Sequence, residues 1–237
     1  MAGILYLCAT PIGNLEDISF RVLNTLKEVD LIAAEDTRHS MKLLNHFQIK
    51  TPMTSYHEHN KMEKGPELIN IWQEGKDIAL ITDAGTPAIS DPGEDLVRLC
   101  YQERIKVTSI PGPAACIVAL TLSGKSTRRF CFEGFLPHDK KERAFILEEL
   151  TKETRTIILY EAPHKLKNTL KDLYDTLGNR EISIIREITK KYEEVFQTSL
   201  TEAISHYKEN NPRGEFVLVI EGKSILEVQQ EKMDEWK

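Results

Sequence analysis

Apolar residues in this chain fall into short, β-branched runs, separated by stretches in which they recur every third or fourth position. The runs Ile4 to Cys8, Asp30 to Glu35, Ile78 to Ile81, Lys106 to Ile110, Phe130 to Phe135, Thr156 to Tyr160, Ile182 to Arg186 and Phe216 to Ile220 read as strands. Helical spacing appears between them. Ser19 caps a helix whose inward positions are Phe20, Leu23, Leu26 and Val29, and Thr37 to Phe47 follows with Met41, Leu44 and Phe47. Further helices are predicted over Pro66 to Glu74, Leu96 to Gln102, the segment opening at Pro111-Gly-Pro-Ala-Ala-Cys116, Lys140 to Leu150 and Lys165 to Leu177. The alternation of strand, loop and helix over residues 1–124 predicts a parallel sheet with helices on both faces. Ser123 to Arg129 is polar and basic and reads as a linker to a second α/β domain, 125–237.

The longest informative loop follows the run Ile78 to Ile81. Thr82-Asp-Ala-Gly-Thr-Pro-Ala-Ile-Ser-Asp-Pro-Gly93 is dense in Gly, Pro, Asp, Ser and Thr, and its length exceeds what a connection requires. In open α/β sheets ligands bind beyond the carboxyl ends of the strands, so this loop is a candidate ligand site. It offers the Asp83 and Asp91 carboxylates, three hydroxyls and the unobstructed backbone of Gly85, and Asp91 can also cap the helix that follows. Three more loops arise at strand ends: Ala9 to Asn14, Glu35 to His39 and Pro111 to Ala115.

Composition narrows the class. The 237 residues are 41% hydrophobic and 29% charged, ordinary for a globular protein, with disorder expected only beyond Glu221. A net charge of −6 excludes nucleic-acid binding by bulk electrostatics, so local clusters must supply any such contact. Those clusters are Arg128-Arg129, Lys140-Lys141 with Arg143, Lys165 with Lys167, and Lys190-Lys191. Cys8, Cys100, Cys116 and Cys131 lack C-x-x-C spacing and read as reduced core thiols of a cytoplasmic protein. Neither a signal peptide nor a membrane span is expected.

Familiar signatures fail on inspection. Gly124-Lys-Ser-Thr127 resembles the end of a P-loop, but Ala119 stands where the pattern needs glycine. Thr10-Pro-Ile-Gly-Asn-Leu15 lacks the glycines of a dinucleotide fold. His57-Glu-His59 could ligate a metal if a third ligand converged, but exposed loop histidines are the commoner case and no metal is assigned. More informative is Glu35-Asp-Thr-Arg38, two carboxylates and a guanidinium at a strand end, which either pair with each other or orient a polar substrate. Arg186-Glu-Ile-Thr-Lys-Lys-Tyr192 repeats that arrangement with basic character.

Taken together, Thr10-Pro-Ile-Gly-Asn14, Ala34-Glu-Asp-Thr-Arg38, Ser55-Tyr-His-Glu-His-Asn60, the 82–93 loop, Ile110-Pro-Gly-Pro-Ala-Ala115, Gly134-Phe-Leu-Pro137, Tyr160-Glu-Ala-Pro-His164 and Arg186-Glu-Ile-Thr-Lys190 resemble the tetrapyrrole-methylase superfamily, and within it the ribosomal RNA branch. The resemblance runs from residue 4 to about 222. It implies a two-domain α/β fold, with a mostly parallel N-terminal sheet and a smaller, mixed-sheet C-terminal domain, binding S-adenosylmethionine in the cleft between them. It further implies a homodimer that methylates the ribose 2′-hydroxyl of a cytidine in 16S ribosomal RNA, near the decoding centre of a small-subunit particle.

By motif position, cofactor contacts are implied at Pro11, Gly13, Asp83, Gly85, Thr86, Pro87, Ile89, Ala114, Ala115, Tyr160, Gly214 and Glu215. Gly85-Thr86-Pro87 departs from the superfamily's common Gly-Asp-Pro, so an aspartate's role is not carried over. Methyl transfer to a hydroxyl needs alignment and removal of a proton, by a carboxylate or by a lysine of lowered pKa. Glu35, Asp36, Glu187 and Lys190 are the candidates, with Arg38 as an orienting charge. Other branches would instead take a small tetrapyrrole or a modified histidine, and a non-catalytic ribosome-assembly protein could retain the fold. Transfer of a labelled methyl group to RNA separates these.

Overall fold

Every strand read from the sequence forms in a computed structural model, which describes residues 2–234. The chain divides into two compact units, Met1–Ala114 and Ala115–Lys237. In the first, β1 (Ile4–Cys8), β2 (Leu31–Ala34), β3 (Met53–Ser55), β4 (Ile78–Ile81) and β5 (Lys106–Ile110) form an all-parallel sheet in the order β3-β2-β4-β1-β5. Between them run α1 (Phe20–Glu28), α2 (Thr37–His46), α3 (Lys61–Gln73) and α4 (Gly93–Gln102). Burial on both faces explains the continuous apolar runs. Ile78 and Leu80 pack with Trp72, Leu96 and Cys100 on one side, while Ala79 and Ile81 pack with Val22, Leu26 and Leu44 on the other.

The second unit opens with α5 (Ala115–Leu122) and contains β6 (Phe130–Phe135), α6 (Lys140–Leu150), β7 (Thr156–Glu161), α7 (Leu166–Leu177), β8 (Glu181–Arg186), β9 (Glu194–Ser199), α8 (Leu200–Glu209), β10 (Phe216–Ile220) and α9 (Ile225–Asp234). Its sheet also has five strands, in the order β6-β7-β10-β8-β9. Only the β6–β7 pair is parallel, so the sheet is mixed. Leu159, Leu218 and Ile184 pack against Leu147, Leu170, Leu173 and Leu200 of α6, α7 and α8. The division at 114 precedes the sequence-based one at 124 because α5 packs on β7 and β10.

Two differences from the expected elements have physical causes. Helix α3 begins at Lys61 rather than Pro66, and Pro66 sits inside it at the loss of one ladder hydrogen bond. Gly65 beside it leaves room for α4, because a Cβ there would meet Leu99 Cδ2 at 2.9 Å. The unanticipated strands β3 and β9 lack apolar alternation: β3 is three residues of intermediate burial, and β9 is an exposed edge.

A candidate cofactor and catalytic site

Because β2, β4, β1 and β5 are adjacent and parallel, their carboxyl ends share one edge. Leu7 lies opposite Leu80, Cys8 opposite Ile110 and Ala34 opposite Ile81. Four loops therefore leave the sheet at one level; hydrogen bonds join those after β1, β4 and β5 and tie Glu35 after β2 to Asp83 after β4. Thr10 and Gly85 exchange a backbone pair, Thr10 N–H to Gly85 carbonyl at 2.9 Å and Gly85 N–H to Thr10 carbonyl at 3.0 Å. The Thr10 hydroxyl donates to the Thr82 carbonyl at 3.2 Å, and the Thr86 hydroxyl donates to the Pro113 carbonyl at 2.9 Å. Gly85 has φ +86, and an added Cβ would stand 3.3 Å from Ile12 Cγ2 and 3.5 Å from the Pro113 oxygen. Gly112 is more constrained, since its Cβ would meet that of Ala9 at 2.6 Å.

The loop after β4 also carries strain. Ala88 (φ +68) and Ser90 (φ +62) occupy the left-handed region, which non-glycine residues rarely adopt and which concentrates at ligand sites. Asp91 holds them there: its carboxylate accepts the N–H groups of Ala88 at 3.0 Å, Ile89 at 3.1 Å and Gly93 at 2.7 Å. Asp91 thus organises the loop as well as the start of α4. The result is an exposed Ile89 side chain beside buried Gly85 and Pro87 and half-buried Thr86. Pro11 is buried, Gly13 and Asp83 are exposed, and Ala114 is half-buried at the end of the loop after β5. Backbone groups and small side chains leave the main chain of this loop open to a ligand.

The Glu35-Asp-Thr-Arg38 cluster separates into distinct roles. Glu35 is half-buried at the end of β2, and its carboxylate accepts the Asp83 N–H at 3.4 Å. Burial, reinforced by the Asp83 and Asp91 charges, holds its carboxyl above the usual range against the Asp83 N–H bond and His57. Asp36 instead caps α2, accepting the N–H groups of Arg38 at 2.8 Å and His39 at 3.3 Å, and these bonds hold it below the ordinary range. Arg38 stands in solvent, with 92% of its side chain exposed, 3.6 Å from Asp36. The imidazole Nδ1 of His57 is buried without a hydrogen-bond partner among the described residues. Among the described residues, no group of three or more His, Cys, Asp or Glu is arranged to hold a metal.

In the second unit the structure brings Glu187, Lys190, Gly214 and Glu215 together. Lys190 Nζ donates to Glu187 at 2.9 Å and to Glu215 at 2.8 Å, while the Glu215 N–H donates to Glu187 at 3.0 Å. Gly214 (φ +86) is required, because its Cβ would fall 2.5 Å from Glu187 Cγ. Glu187 (φ +52) and Thr189 (φ +65) are themselves in the left-handed region. Burial alone would lower Lys190, but the Glu215 and Glu187 carboxylates outweigh it and raise the ammonium above its ordinary value. Lys190 is therefore not a lysine of lowered pKa.

Tyr160 near the end of β7 lies edge-on to Phe132 and Phe135, with ring centroids 4.9 and 5.6 Å away. Its hydroxyl accepts the Cys116 N–H at 3.1 Å, fixing the first turn of α5 next to Ala115. Burial, followed by a hydrogen bond with the Cys116 side chain, pushes the phenol well above its usual range. Of the decoys, Lys125 pairs with Glu181 and Glu221, at 3.9 and 3.6 Å. All four cysteines are free and buried.

A parallel five-stranded sheet with its loops gathered at one edge, followed by a mixed five-stranded sheet, defines a two-unit α/β class with solved counterparts. Diphthine synthase has a TM-score of 0.72 at 14% identity, covering 92% of this chain and 90% of that one. A cobalt-precorrin-4 methyltransferase has a TM-score of 0.67 at 17% identity, covering 91% and 94%. The model of the tetrapyrrole (corrin/porphyrin) methylases matches residues 4–204, and this chain belongs to that family. Curated relatives named ribosomal RNA small subunit methyltransferase I are similar throughout. That of Synechocystis is 54% identical over 93% of this chain and 79% of its own. That of Bacillus subtilis is 50% identical over 97% and 79%, and that of Thermotoga maritima 47% identical over 93% and 99%.

Proposed function

We propose that this chain transfers a methyl group from S-adenosylmethionine to the ribose 2′-hydroxyl of a cytidine in 16S ribosomal RNA near the decoding centre, acting on a small-subunit particle in the cytoplasm as a homodimer. The observation that carries this reading is identity of about half the residues, over nearly the whole chain, with relatives named for small-subunit ribosomal RNA methylation. Among the described residues, no helix is long and apolar enough to cross a membrane.

S-adenosylmethionine would supply a methyl group on sulfonium, which an oxygen nucleophile takes by in-line displacement. The chain's part is alignment and proton removal. Pro11, Gly13, Asp83, Gly85, Thr86, Pro87, Ile89 and Ala114, with Ala115, Tyr160, Gly214 and Glu215 of the second unit, are the proposed cofactor contacts. Glu35 is the proposed base, since burial raises its pKa and makes it a better proton acceptor than an ordinary carboxylate. Lys190, kept charged by its two carboxylates, and Arg38 would orient the nucleotide. Asp36 and Glu187 hold backbone and lysine in place.

The test is methyl transfer from labelled cofactor to purified small-subunit particles. The expected product is a single ribose methylation, seen as one site resistant to alkaline hydrolysis; label in protein, or none, would refute the reading. Ala114→Trp, shown to be folded by circular dichroism, should lose the calorimetric signal for S-adenosylmethionine. Light scattering at micromolar concentration should report about twice the chain mass, and a monomer there would refute the dimer.

A further inference from the structure

Tyr160 and Glu161 are successive strand residues and so point to opposite faces of the second sheet. Tyr160 reaches α5, whereas Glu161, 4% exposed, lies on the side of α6 and α7. There Glu161 accepts the Ala162 N–H at 2.7 Å and the hydroxyl of buried Thr169. Thr169 accepts from an Arg143 terminal nitrogen at 2.9 Å, and Arg143 also binds Asp172 through Nε at 2.8 Å. The Arg143 side chain is only 16% exposed. This chain of bonds fixes the guanidinium on two edges and leaves the N–H groups of its third nitrogen without a partner among the described residues.

That guanidinium lines a cavity of about 480 Å³ together with Pro137, His138, Lys140, Lys165 and Asn168. Lys165 donates to His138 Nε2 at 2.8 Å and keeps two ammonium protons for another acceptor. Three cations, Lys140, Arg143 and Lys165, line the cavity against the single carboxylate of Asp172, which Arg143 already engages. In a chain of net charge −6, such an excess around one concavity selects an anion. A planar, pre-positioned guanidinium flanked by two ammonium groups suits a phosphate, and the volume exceeds that of a lone phosphate, leaving room for attached sugars. Pro137 and Lys165 come from the segments that follow β6 and β7.

We propose that this cavity receives a phosphodiester of the substrate RNA, an inference that rests on the function proposed above. Lys140 and Lys165 take no part in the buried Glu161–Thr169–Arg143 chain, so Lys140→Gln/Lys165→Gln should fold as the parent does. Binding of a single-stranded RNA oligonucleotide is expected to weaken about tenfold or more. The slope of log affinity against log salt should fall by about 0.7. With small-subunit particles, KM should rise while kcat and affinity for S-adenosylmethionine stay unchanged.

Equal RNA affinity and salt slope in parent and variant would overturn the proposal, as would absence of RNA binding by the parent. Calorimetry with inorganic phosphate is the control arm: phosphate binding lost in the variant, with RNA binding unchanged, would make the cavity a small-anion site and also overturn it. The two readings fail separately. Loss of RNA binding in the variant of a parent that methylates no ribosomal RNA upholds the cavity against the function, and unimpaired methylation by the variant upholds the function against the cavity.

Discussion

The hydroxyl of Tyr160 and the backbone N–H of Cys116 are joined at 3.1 Å, so a side chain on β7 supplies the acceptor that the first turn of α5 lacks. Tyr160→Phe keeps the ring against Phe132 and Phe135 but leaves that donor unpaired. The expected loss is about 1–3 kcal/mol. Thermal unfolding should show a Tm several degrees lower, and calorimetric affinity for S-adenosylmethionine should weaken with it; an unchanged Tm would mean that another acceptor takes over.

Glu35 and Asp36 are neighbours with opposite shifts, and pH distinguishes them. Burial raises Glu35, so its stabilising contribution is present below the ordinary carboxylate pKa and lost as pH rises through the raised value. Methyl transfer should fall as pH drops through that same raised value, because the base form disappears. Glu35→Gln should lower kcat about 100-fold or more without lowering Tm at neutral pH. Bonds from the Arg38 and His39 N–H groups lower Asp36, so its contribution is present above the ordinary value and lost as pH falls through the depressed one. Asp36→Asn, which retains a capping oxygen, should leave both rate and pH profile near the parent's.

Lys190 is held charged by Glu215 and Glu187, which makes it a fixed cation rather than a proton acceptor. Lys190→Arg should therefore retain most methyl transfer while Lys190→Met loses it. The acidic limb of the pH–rate profile should be the same in the parent and the arginine variant. Abolition by arginine as complete as by methionine would restore Lys190 as a candidate base.

Gly112 and Ala9 approach so closely that one added methyl group has no room. Gly112→Ala should destabilise by about 1–3 kcal/mol, as overpacking of a rigid contact does. Because the obstructing atom is the Ala9 Cβ, Ala9→Gly/Gly112→Ala should recover much of that loss in denaturant unfolding. Additive losses would place the strain elsewhere.

The parallel sheet was legible because two-sided burial writes itself as uninterrupted apolar runs, and the ligand loop because Gly85, Pro87 and Pro92 punctuate it. Strand β9 was not, since in Glu194–Ser199 the apolar residues, Val195 and Phe196, are adjacent and do not alternate. Helix α8 had a legible start that the apolar pattern passed over. Ser199 and Glu202 form a reciprocal capping box, and that spacing stands in the sequence. The charged clusters show the opposite limit. Glu35, Asp36 and Arg38 lie within four residues, yet only the fold separates a half-buried carboxylate from a helix cap and an exposed guanidinium. The chain Glu161–Thr169–Arg143 joins residues up to 26 positions apart and has no local signature.

The paired bonds between Thr10 and Gly85, and the bond from Thr86 to Pro113, join segments separated by 75 and 27 positions. Loops that would otherwise fluctuate independently are thereby fastened into one opening unit. In native-state hydrogen exchange, the amides of Thr10 and Gly85 should become labelled at a common rate, since neither can open without releasing the other. A ligand that touches any one of these loops then slows exchange in all three, and a substitution in one is felt as altered affinity at the others.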